Sequence, residues 1–170
     1  VAAQKDNLNI KFVAHLGDVV DHVDYPAEWS QFRKGWQKVE DSGIPWSIAP
    51  GNHDGPMAQN NWNVYNAEYP ASDFLTNEWA SETYPAGKNE NNVSFLEASG
   101  MQFILISIGY SMDGSEFAWA SDLLTQHSDK RAIINTHDVT NGEFANLAKQ
   151  NPNVFLIVSG HHCGPEWNNV

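Results

Sequence analysis

The sequence predicts an α/β fold, and three observations carry the prediction. Short apolar runs alternate along the chain with stretches whose apolar residues recur at helical spacing. The runs are bounded by turn-forming residues, as buried strands are. Three of them lead directly into polar segments: Gly17-Asp18-Val19-Val20-Asp21, Gly51-Asn52-His53-Asp54 and Gly160-His161-His162-Cys163-Gly164. Open α/β sheets concentrate their ligand sites in this position, beyond the carboxyl ends of strands.

The run from Ile10 to Leu16 reads as a buried strand that places Asp18 at its C-terminal edge. Trp29, Phe32, Trp36 and Val39 then recur at helical spacing with charges between them, which gives an amphipathic helix ending near Ser42-Gly43. Pro45 to Ala49 is a second short strand. A strand–helix–strand unit crosses over right-handed, so the two strands should be parallel neighbours with Asp18 and Asn52 side by side. From Gly55 to about Asn91 the chain is rich in Asn, Tyr, Trp and Pro without sustained period, and reads as a long surface excursion with at most short helices. Its Trp62, Tyr65, Tyr69, Trp79 and Tyr84 offer either a contact surface or local packing.

Val93 to Glu97, the turn Ser99-Gly100 and Met101 to Ser107 form a hairpin, which introduces antiparallel pairing and so a mixed sheet. Trp119, Leu123 and Leu124 mark a helix, Arg131 to Asn135 a strand ending at Thr136-His137, Phe144, Leu147 and Ala148 a helix, and Val154 to Val158 a last strand. No repeat or linker interrupts the series, so residues 1–170 read as one domain.

With 21 acidic against 9 basic residues the formal net charge is −12, which repels nucleic acids and anionic membranes. A small phosphorylated substrate is still compatible, because bound divalent metals reverse the local field. No run approaches the roughly 18 apolar residues that span a bilayer. The lone Cys163 excludes an internal disulfide framework, and Asn92-Val93-Ser94 is a glycosylation acceptor pattern. Val1 in place of Met points to a piece of a longer or processed chain, which leaves localisation open between export and the cytoplasm.

Brought together at strand ends, the three polar segments would gather a carboxylate, an amide oxygen and imidazoles at one sheet edge. That is a ligand set for divalent metals working on a phosphate ester. The segments resemble, in order, motifs of the calcineurin-like metallophosphoesterase superfamily, whose pattern runs D-x-H, G-D-x-x-D, G-N-H-D or G-N-H-E, a lone His and G-H-x-H. The resemblance implies an α/β/β/α sandwich with mixed sheets and a hydrolase in which a metal-bound hydroxide attacks phosphorus. It also implies two divalent ions, of manganese, iron or zinc. Asp18 matches the carboxylate that bridges them, Asn52 the amide ligand, and His137 and His161 the two imidazole ligands. His53 matches the residue that contacts phosphate and protonates the departing alkoxide, with Asp21, Asp54 or a neighbour as its partner. His15, His22 and His127 have no place in the pattern.

The chain departs from the pattern at two points. No D-x-H motif precedes Ile10, and Cys163 stands where the last histidine of G-H-x-H is expected, with His162 at the variable position. The expected outcome is one well-made metal site, from Asp18, Asn52, His137 and His161, and one deficient site that keeps Asp18 and, as a zinc thiolate, Cys163. Full hydrolysis then depends on a D-x-H strand upstream. The resemblance leaves open a relative that binds metal, phosphate or a protein partner without turnover, and the aromatic excursion leaves open an extracellular carbohydrate-binding or interaction protein.

Overall fold

The computed structural model describes residues 1–55, 61–110, 113–140 and 142–162. Strand β1, Val13–His15, pairs in parallel with β2, Trp46–Ile48, and helix α1, Pro26–Glu40, connects them. β1 is shorter than the apolar run and only half-buried, not the buried strand expected, because among the described residues β2 alone pairs with it. α1 begins at Pro26, whose fixed φ suits the first helical position. Its Trp29, Trp36 and Val39 pack with Trp46 and Ile48 into one apolar cluster.

The excursion is more ordered than its composition implies. Helices α2, Asn63–Glu68, and α3, Ala71–Phe74, are followed by a strand not anticipated, β3, Ala80–Tyr84. Tyr65, Tyr69 and Phe74 are buried in the α1 cluster, with Trp62 and Trp79 packed against it, and Tyr84 stacks on Trp119. These rings are packing, so they do not form the exposed contact surface that a carbohydrate-binding reading needs.

The second sheet runs β3–β4–β5–β6–β7, with β4 Asn91–Ala98, β5 Met101–Ile108, β6 Arg131–Thr136 and β7 Val154–Ser159. β3, β4 and β5 pair antiparallel, whereas β5, β6 and β7 pair in parallel. The parallel pairs are joined by α4, Gly114–Gln126, and α5, Glu143–Gln150. α4 opens with a capping box in which Asp113 accepts from the Ser115 N–H while Glu116 accepts from the Asp113 N–H.

The two-residue period of β5 sorts its side chains between layers. Ile104, Ile106 and Ile108 pack with Ala132 and Ile134 of β6 against Phe117, Leu124, Phe144 and Leu147 of the helices. Ser107 points the other way and donates its hydroxyl proton to Ser47 Oγ of β2 at 2.7 Å. Asn92 of β4 likewise donates to the Ile48 carbonyl at 3.1 Å. The layers are therefore α, β, β, α, with polar links between the sheets. Asn92 is 1% exposed and Ser94 is fully buried, so the acceptor pattern there is inaccessible in the folded chain.

Candidate metal centre

Four strand ends meet where the two sheets face each other. Asp18 follows β1, Asn52 follows β2, His137 follows β6 and His161 follows β7. The candidate residues thus come from two sheets, not from the single sheet edge expected. Asp18 adopts left-handed backbone, φ 51°, a conformation that aspartate tolerates. Two glycines allow the turns to close. A Cβ on Gly17 would lie 2.6 Å from the Gly51 amide nitrogen, and one on Gly51 would collide with the Asp18 carboxylate.

His137 is 2% exposed and organises the cluster. Its Nδ1 lies 2.6 Å from the Leu16 carbonyl oxygen, so Nδ1 carries the donated proton and Nε2 keeps a lone pair. That Nε2 is 2.9 Å from Asn52 Oδ1, 3.0 Å from His161 Nδ1 and 3.3 Å from Asp18 Oδ2. Donors bound at about 2.0–2.1 Å to one cation sit roughly 3.0–3.4 Å apart in octahedral or tetrahedral geometry. The observed separations match that range, and a shared cation would reconcile the Nε2 lone pair with the oxygens of Asn52 and Asp18 that face it at 2.9 and 3.3 Å.

Asp18 Oδ1 accepts from the His53 N–H at 3.1 Å, which binds the first motif to the second. His53 donates from Nδ1 to the Asp21 carbonyl at 2.8 Å, and Asp21 Oδ1 lies 3.2 Å away. Of the partners considered, Asp21 is the one in contact. The Asp21 carbonyl raises the His53 pKa, burial opposes it, and the carboxylates of Asp18, Asp21 and Asp54 add to the rise. Asp54 is fully buried and plays another part. Its Oδ1 accepts from the Val19 and Val20 N–H groups at 2.7 and 3.1 Å, and its Oδ2 from the Gly51 N–H at 2.7 Å. Burial pushes its carboxyl up to about 6 against those three donors.

Two neighbours had no motif to announce them. Tyr110, at the end of β5, places its ring 5.9 Å from that of His137 and 5.6 Å from that of His161. Glu28 of α1 accepts from the Asp21 and His22 N–H groups at 2.8 Å each and lies 3.1 Å from His22 Nδ1. The backbone bond from His22 leads the causes that hold the Glu28 pKa low. Its position three residues after the helix cap was the only sequence signal. His15 packs edge-on against Phe32 and Trp36, and burial lowers its pKa. His127 packs against Phe95, away from the cluster.

Asp138, His161 and His162 form a second grouping whose ligand atoms lie within 4.8 Å of one another. Cys163 lies outside the described residues. Among them, no helix is long and apolar enough to cross a membrane.

A family model described as calcineurin-like phosphoesterase matches residues 1–165. The uncharacterized protein YvnB of Bacillus subtilis (strain 168) is 27% identical over 93% of this chain, and the chain spans only 13% of that protein's length.

Proposed function

Because the chain belongs to the calcineurin-like phosphoesterase family, we propose that it is the metal-dependent hydrolytic core for a small phosphomonoester or phosphodiester. One observation carries the reading: His137 Nε2 lies 2.9–3.3 Å from Asn52, His161 and Asp18 donor atoms delivered by strands of both sheets. These four residues would hold a divalent cation, for which manganese, iron and zinc all suit the nitrogen and oxygen donors. When bound, such cations polarise the phosphoryl group and activate water. Asp18 offers two oxygens and a negative charge, so it also suits the bridge between two ions.

His53 supplies the proton for the departing alkoxide, and the Asp21 carbonyl and carboxylate fix its ring for that step. Asp54 serves as scaffold, gathering the backbone of both motifs around one buried carboxylate. The acidic surface, net −12, argues against polyanionic partners such as nucleic acid.

The test is turnover of a generic aryl phosphate. Activity should rise with added manganese or zinc and fall at least 10²-fold in Asp18→Asn, as expected on removal of a charge-stabilising group. Metal binding by calorimetry without turnover of any phosphoester would replace this reading with a binding role.

A further inference from the structure

We propose that the groove beside Asp18 and His53 selects the ester by the charge of its leaving group, accepting a neutral or amine-bearing alcohol and disfavouring an anionic one. The proposal rests on the phosphoesterase reading for where the phosphate sits, and it concerns what is attached to that phosphate.

A cavity of about 690 Å³ opens from Asp18 and His53 along the first two turns of α1. Its apolar lining is Val19, Val20, Ala27 and Phe32, and its remaining polar residues are Asp21, Glu28 and Gln31. None of the lining residues is Lys or Arg. α1 does carry cations, on another face: Arg33 and Lys34 line a separate cavity, and Arg33 is paired with Glu68 at 2.8 Å. The helical period thus segregates charge, with 27, 28, 31 and 32 toward the groove and 33, 34 and 37 away from it.

The groove wall is also built in advance. Glu28 is braced by two backbone N–H groups, and the Asp21 carboxylate lies 3.2 Å from His53 Nδ1 and 3.5 Å from His22 Nδ1, so both carboxylates stand at defined positions beside the apolar lining. The phosphoryl charge would have its counterpart in a cation held by Asp18, His137 and His161. A second negative charge on the leaving group would face Asp21 and Glu28 with no Lys or Arg in the groove, the His53 proton being committed to the ester oxygen and His22 sitting behind both carboxylates at 3.5 and 3.1 Å, whereas an ammonium there would be attracted by both. The apolar lining suits the alkyl or aryl body that carries the charge. Asp21 is 72% exposed, so solvent screens it and the discrimination is of modest size.

The experiment measures binding of 3-aminopropyl-, butyl- and 3-carboxypropylphosphonate to the manganese-loaded chain by calorimetry, alongside turnover of the matching phosphate monoesters. Amino should bind at least as well as butyl, and butyl better than carboxy, with about three- to tenfold between the extremes. Gln31→Lys, at an exposed helix position, should shrink or invert that ratio, with butylphosphonate as the internal reference for an intact site. Equal affinity for all three, binding of none, or a ratio unmoved by Gln31→Lys overturns the proposal. Charge-ranked binding without turnover of these monoesters or of bis(4-nitrophenyl) phosphate supports the groove and refutes the hydrolase; turnover indifferent to charge does the reverse.

Discussion

His137 owes its orientation to the nitrogen that faces away from the cluster, because the Leu16 carbonyl takes the Nδ1 proton and leaves Nε2 for a ligand. The same dependence on the polypeptide around a side chain runs through the site and gives three expectations. Gly51→Ala would drive a methyl into the Asp18 carboxylate, so manganese affinity measured by calorimetry should fall by about 10- to 100-fold, as for loss of a supporting group. His53→Gln should slow alkyl phosphates by about 10²-fold while sparing nitrophenyl phosphate, whose leaving group needs no proton. Similar losses on both substrates would remove His53 from the acid role. Asp54→Ala leaves three buried N–H groups without their acceptor and should cost about 2–4 kcal/mol in urea denaturation.

Among the elements, what was legible in the sequence followed from burial on one face. Trp29, Phe32, Trp36 and Val39 announced α1, and the alternation in β5 sends Ile104, Ile106 and Ile108 to one layer. β3 was not legible, because Ala80–Tyr84 buries only Thr83 and lies at the sheet margin, where no periodic pattern is demanded of it. The motifs named the donors Asp18, Asn52, His137 and His161, and β1 and β2 are the parallel neighbours expected, but one sheet edge for all four was the wrong inference, since strand period says nothing of how two sheets stack. Nor did it reveal Glu28, whose bonds to the Asp21 and His22 N–H groups depend on how the chain enters α1. At this scale the sheet contact is testable. Ser47→Ala and Ser107→Ala should each destabilise, and the double variant should cost about 1 kcal/mol less than their sum, because each single change takes away the other hydroxyl's partner across the sheets.

For the molecule as a whole, a cation that binds only the folded chain adds to its stability. Manganese at 100 times its Kd should contribute about 2.7 kcal/mol, seen as a raised Tm that His137→Ala abolishes. Glu90, 8% exposed, supplies a second global readout, because burial raises its pKa even though Asn66 donates to it. The folded chain therefore holds a proton there that the unfolded chain releases first, so this contribution is complete below the ordinary carboxylate range and lost as pH rises through the raised value. Glu90→Gln should gain on the parent chain as pH climbs from about 4 to 7, and parallel stability curves would refute it. The straddling of two sheets by one ligand cluster has a last implication: the centre works as a caliper on the gap between the layers. A methyl removed from that seam, well away from any histidine, would register first as a looser grip on the ion and only afterwards as a lower melting point.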